Sequence, residues 1–322
     1  MTTEHRLGKE LGRPGHSADV PPVLRIAPGT GERIAFQTDD AVYRELHEHG
    51  DLARLQAPLN PVTGPVYVEG ARPGDALAVT IHEIRLTDTG WAMSLPGVGA
   101  LRERMPDRVV TRRIPIDADG VHLTDAVTVA PRPMVGCIGT APASGVASTV
   151  MPAHAIGGNM DVTDIAPGAT VYLPVEVEGA LLAIGDVHAI MARGESSFVA
   201  IEAEGTVVVS VDVVPGLALR APRIATADEW IFVGLGATVQ ESVRRGYEDA
   251  FDAFVERGWD AMDAYTVMSA LAHSELGGPT GAVDPDPLHP FDAIGAVTLH
   301  RVPRALLDGE PSPAAGDGAA AV

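Results

Sequence analysis

Cysteine and lysine are almost missing from this chain of 322 residues: Cys137 and Lys9 are the only ones. A lone cysteine forbids any intrachain disulfide and any cysteine-rich metal site, which agrees with a reducing, cytoplasmic setting. A lone lysine near the start of the chain is a poor base or acid partner, so mechanisms built on a buried lysine beside a cysteine or in a Ser-Ser-Lys relay fall away. Basic residues are scarce overall, 23 against 43 acidic, for a formal charge of -20. Such a field repels phosphates and anionic lipid, so neither nucleic acid nor a membrane surface is expected as a partner, and a small neutral or cationic substrate is. No run of about 18 apolar residues free of charge occurs, and the first residues lack the apolar stretch of a signal peptide. The expectation is a protein that is neither secreted nor membrane-spanning.

What is present is a chain with a normal apolar fraction, 46%, enough for a substantial core. Residues 1–20 and 309–322 read as disordered tails. Between them, residues 21–221 carry short apolar or alternating runs such as Ala76-Leu77-Ala78-Val79-Thr80-Ile81 and Thr206-Val207-Val208-Val209-Ser210-Val211, punctuated by Pro-Gly turns. That texture predicts a β-rich, sandwich-like body. From 222 to 308 it changes to a smaller α+β part, giving a β-rich α+β protein. Val239, Val243, Tyr247, Phe251 and Phe254 are spaced for one face of a helix over 237–257, closed by Gly258. Met262, Tyr265, Met268 and Leu271 predict a second helix over 260–274 with a buried stripe. A strand is expected around 294–302.

The densest polar constellation is Gly157-Gly158-Asn159-Met160-Asp161, followed by Gly185-Asp186-Val187-His188, then Gly194-Glu195 and Glu202. On an extended strand, residues two apart project to one face, so Asp186 and His188 can converge. A carboxylate and an imidazole aimed at one point begin a metal site that a third ligand completes. The same pair also suits a turn aspartate beside an ordinary histidine; the flanking glycines permit the close backbone approach that a site requires, and the residues alone leave both readings open. Cys137 is the rival nucleophile, and its apolar neighbours point to a structural role.

Longer stretches carry a resemblance. Asn60-Pro61-Val62-Thr63-Gly64-Pro65-Val66-Tyr67-Val68-Glu69-Gly70-Ala71 with Pro73-Gly74-Asp75, Pro133-Met134-Val135-Gly136-Cys137-Ile138-Gly139, the block from Gly157 to Asp161 through Gly185-Asp186-Val187-His188-Ala189, and Asp263-Ala264-Tyr265 with Ser269 resemble the acetamidase/formamidase family across most of residues 32–305. The resemblance implies a β-rich fold with an α+β appendage and hydrolysis of short amides to a carboxylate and ammonia. In some members it also implies a divalent metal and lactam opening. Carried to this chain, it makes Asp161, Asp186 and His188 the metal-ligand candidates, Asn159 an amide donor beside them, and Glu195 and Glu202 a further ligand or the general base. Zinc is the expected ion, with manganese and calcium as alternatives. Two departures stand out: Arg193 lies beside Glu195, and His273 occupies the neighbourhood where the C-terminal helix commonly has an aspartate. His154 is a second-rank candidate near the Gly-Gly-Asn block. A homodimer is the default assembly. A lactam-opening hydrolase and a non-catalytic small-molecule binding protein are the competing readings.

Overall fold

The computed structural model describes residues 3–278 and 295–309. The β-rich α+β organisation read from the sequence is the one observed. Its spine is an antiparallel pair of long strands, Ala76–Ser94 and Ile201–Val214, in register from Glu202↔Trp91 to Val214↔Ala76 with two irregularities along the way. The valine-rich run makes a strand because branched side chains pack well on a pleated surface. Val207, Val209 and Val211 face a core shared with Val79, Ile81, Ile84 and Ile138. Strand Leu182–Ile190 joins this spine at His188↔Glu202 and pairs on its other side with Met134–Gly139, which in turn pairs with Gly157–Asn159 through Cys137↔Asn159. These pairings bring the polar segments of the chain together at one end of the spine.

Residues 3–20 correct the expectation of a disordered tail over 1–20. Glu4–Leu7 lies parallel to Arg33–Gln37, Gly12–Arg13 pairs with Val62 and Thr63, and Gly15–Ser17 pairs with Val146–Ser148. Order here comes from partners far away in sequence, which supply the backbone hydrogen bonds that composition does not reveal. Lys9 belongs to the same tie, with its ammonium on Glu204 and 3.6 Å from Asp39. The acidic trio Asp39, Asp40 and Glu204 is thereby matched by cations, since Arg44 also pairs with Asp40, and Trp91 Nε1 donates to Asp40 at 2.7 Å. The C-terminal tail beyond Gly309 lies outside the described residues.

Both C-terminal helices form, the first with Phe254 fully buried and Tyr247 and Phe251 packed against the same cluster. Helix Val239–Glu256 starts at Thr238, whose hydroxyl accepts from Glu241 N, and Gly258 follows it at φ 86°. It buries Ser242, Gly246, Ala250, Ala253 and Phe254, while Val239 is exposed. The buried stripe is small because the helix lies close on strands Glu229–Gly236 and Ala296–Pro303; a Cβ on Gly246 would overlap the His300 ring. Helix Ala261–Leu271 buries Ala264 and Met268 only, so the expected core stripe is corrected: Met262 and Tyr265 are 67% and 63% exposed. This helix touches the body along one narrow edge. None of the described helices is long and apolar enough to cross a membrane.

His300 is buried at the centre of this part, in a hydrogen-bond chain with one consistent direction. Ser242 donates to Gly234 O, so Thr298 donates to Ser242, His300 Nε2–H donates to Thr298, and Ser274 donates to His300 Nδ1 at 2.6 Å. That chain requires neutral imidazole, and burial lowers the pKa to about 4. Because the folded pKa is depressed, the unfolded state binds more protons between pH 6.5 and 4, and stability is lost as pH falls through that window. The stability difference between the wild type and His300→Gln should therefore shrink by about 2 kcal/mol between pH 7 and pH 5 in urea unfolding. A difference constant with pH would contradict the neutral assignment.

Candidate active site

The site is assembled from four stretches of chain. Asp161 follows strand Gly157–Asn159, Asp186 and His188 lie on Leu182–Ile190, Glu202 opens Ile201–Val214, and Glu195 sits in the turn between the last two. His188 Nε2 is 3.3 Å from Glu202 Oε2, 3.4 Å from Asp186 Oδ1 and 3.8 Å from Asp161 Oδ1. Donor atoms of Asp161, Asp186 and His188 lie within 4.8 Å of one another, and so do those of His188, Glu195 and Glu202. All six candidate residues, Asn159 included, line one cavity of about 110 Å³.

Asp186 and His188 do converge, though not as simple neighbours on an extended strand. Asp186 has φ 57°, Asp161 φ 49° and Glu195 φ 34°, all in the left-handed region that side chains avoid. Strain at three adjoining acidic positions means that the surroundings hold them there against their preference. Gly136 shows how. It stands opposite Asp186 in the ladder, and a Cβ on it would collide with Asp186 Oδ2 and lie 2.6 Å from Asp161 Oδ1. Both carboxylates thus occupy the space that any other residue at 136 would fill.

Burial of so many like charges dominates the electrostatics. Burial and the neighbouring Asp186 charge hold Asp161 well above the usual carboxylate range. Glu195 is raised in the same way by burial and Asp161, and Glu202 by burial. Burial alone would lower His188, yet Glu202 and Asp186 carry it well above its ordinary value. Among the described residues no lysine or arginine pairs with these four carboxylates, and Asp161 Oδ1, Asn159 Oδ1 and His188 Nδ1 are buried without hydrogen-bond partners. A buried set of oxygens with one imidazole, short of positive charge, fits a divalent cation.

The remaining sequence candidates lie elsewhere. Cys137 is fully buried beside Val62 and Ala183, with Sγ 3.8 Å from His16 Nε2, and burial pushes its thiol pKa well up. It does not line the cavity. Arg193 turns away to Asp164 and Glu275, at 3.2 and 3.0 Å. His154 pairs through its backbone with Gly157, outside the cavity lining, and His273 is on the exposed strand His273–Leu276, not on the helix. Sequence reasoning missed Tyr43, on helix Ala41–His49, which lines the cavity together with Asn60. Burial and the charges of Glu202 and Asp186 hold its phenol well above the ordinary value. Asn60 belongs to a motif that the sequence did flag; nothing local marks Tyr43.

If Gly136 provides room for the two aspartates, Gly136→Ala should cut bound divalent metal, measured by elemental analysis after dialysis, at least tenfold relative to wild type, with far-ultraviolet circular dichroism unchanged. Undiminished metal in a folded variant would show that the glycine has another purpose.

The family model described as Acetamidase/Formamidase family matches residues 9–150 and 143–284. The acetamidase of Mycolicibacterium smegmatis is 26% identical over 75% of this chain and 79% of its own length. Two solved structures superpose closely. The predicted acetamidase/formamidase of Thermoanaerobacter tengcongensis has a TM-score of 0.85 at 27% identity, covering 96% of this chain and 99% of that one. The Bacillus halodurans acetamidase has a TM-score of 0.82 at 28% identity, covering 95% and 100%. Because the family model matches this chain from residue 9 to residue 284, well over half of it, the chain belongs to the acetamidase/formamidase family.

Proposed function

We propose that this family member hydrolyses a small linear amide to a carboxylate and ammonia with the help of a divalent metal, zinc by preference, held by Asp161, Asp186 and His188. The observation that carries the reading is the buried set of four carboxylates around one imidazole, without a paired lysine or arginine among the described residues. A divalent ion bound there would supply Lewis acidity, lowering the pKa of water and polarising the amide carbonyl.

The chain's own groups account for the other requirements. Glu202 is already engaged, since Oε1 accepts from Ala200 N at 3.0 Å and Oε2 faces His188. Glu195 is therefore the better proton carrier: it takes a proton from the attacking water and delivers it to the leaving nitrogen, which cannot depart as an amide anion at neutral pH. Its raised pKa suits a group that must accept and then give up a proton. Asn159, which lines the same cavity, offers its side-chain amide to the substrate. Apolar walls formed by Leu46, Met93 and Val199 keep bulk water out and strengthen each of these interactions.

Chelation should abolish ammonia release from formamide and acetamide, and one added metal should restore it. His188→Ala should lose both the metal and the activity. Glu195→Gln should keep the metal while kcat falls about 10²–10⁴-fold, the range for a lost general base. Turnover indifferent to chelation would reject the metal reading, and a Glu195→Gln variant with wild-type kcat would move the proton transfer to Glu202.

A further inference from the structure

We propose that Tyr43 is a catalytic residue: its phenol donates a hydrogen bond to the carbonyl oxygen of the substrate and stabilises the negative charge that builds there as water adds. The inference rests on the amide-hydrolysis reading above and assigns the one cavity-lining hydroxyl donor among the described residues, which that reading leaves unused.

Three observations support it. The first is chemical: the acidic residues of the cavity are hydrogen-bond acceptors when ionised, whereas a tyrosine O–H supplies a donor beside them. The second is that this donor has no short hydrogen bond to a neutral partner. Asn60 Oδ1 lies at 3.4 Å, well beyond the 2.7–2.8 Å usual for a bond between two oxygens, and its other acceptor is the Glu202 carboxylate on the same cavity wall, so a substrate oxygen entering the cavity competes with both for its hydrogen. Asn60 itself is held at φ 40°, immediately before Pro61, a strained position of the kind found where side chains are held for a purpose.

The third observation is that Tyr43 is fixed in place before any substrate arrives. Its helix, Ala41–His49, is pinned at the start by Asp40, which pairs with Arg44 and accepts from Trp91 Nε1. Val42 and Leu46 on either side of Tyr43 are each 2% exposed and pack with Met93 and Val199. A donor on a rigid element in a water-poor cavity needs little reorganisation when charge develops, and that is the condition under which an oxyanion donor is most effective.

In the reaction, water oxygen bonds to the carbonyl carbon, the π electrons move onto the oxygen facing Tyr43, and their return expels nitrogen as ammonia once it has been protonated. Tyr43 keeps its proton throughout. Tyr43→Phe preserves the ring and removes only the donor. With the metal-loaded enzyme and acetamide, kcat should fall about 10²–10³-fold, the cost of one oxyanion donor, while KM moves less than about threefold. Bound metal and the midpoint of thermal unfolding should be unchanged. The penalty should shrink with thioacetamide, whose sulfur accepts hydrogen bonds weakly.

A kcat within threefold of wild type would overturn the assignment. So would a loss of activity accompanied by loss of metal or of thermal stability, or a penalty equal for the oxygen and sulfur substrates, because each marks a structural role. If the wild type releases ammonia from none of these amides, the amidase reading itself fails and the Tyr43 role falls with it.

Discussion

Everything around the site answers to one constraint: four carboxylates and a single imidazole share a space almost closed to water. Removing an ion from water costs several kcal/mol even after the protein relaxes, and like charges at these separations add to that. Protonation of some carboxylates and of His188 is one way to relieve the cluster, and the raised pKa values express it. A bound cation is the other. The acidic trio elsewhere in the chain, Asp39, Asp40 and Glu204, faces the same problem and meets it with Lys9, Arg44 and the Trp91 indole. No such cation side chain is provided for the main cluster among the described residues, so it is not a structural ion-pair network of that kind.

The fold is arranged to make that cluster possible. Strand pairing alone sets His188 against Glu202 and Asp186 against Gly136, so register decides which acids meet. Backbone conformation then does what register cannot, turning Asp161, Asp186 and Glu195 into the left-handed region to aim them inward. The absence of a side chain at Gly136 leaves room for two of them. Each of these features would be a defect in a strand whose only task was to bury valine. Their concentration within one cavity is the structural mark of selection for a site.

The site was legible in sequence to the extent that its parts are local. Gly-Gly-Asn-x-Asp and Gly-Asp-x-His are compact patterns, and the structure brings their residues and the two later glutamates to one cavity. Tyr43 was not legible, because a tyrosine on a short helix looks like core and only the pairing of distant strands places it beside the acids. The ordered N-terminus escaped for a similar reason: its strands pair with partners tens of residues away or more, and polarity is a poor guide where backbone bonds provide the order. For the helix Val239–Glu256 the period was right, with Tyr247, Phe251 and Phe254 on the cluster it covers, but the share of small residues in the contact was not legible. Spacing of large apolar residues presumes wide separation between helix and sheet, whereas Gly246 against His300 draws this helix in until small residues form the contact.

Lysine scarcity gains a structural meaning from this arrangement. Lys9 reaches Glu204, two residues beyond Glu202 on the same strand, and Asp39, next to the residue that starts the helix of Tyr43. The single ammonium therefore ties the N-terminal segment to both elements that flank the cavity, the strand bearing a candidate ligand and the helix bearing the phenol. Its own side chain stays outside the cavity lining. That position separates two tasks that a basic residue could have confused: holding the walls of the site together, and neutralising its interior. With the first met by Lys9 and Arg44 at the periphery, the interior keeps its acidic set without a matching lysine or arginine among the described residues, which is the condition the proposed metal reading needs.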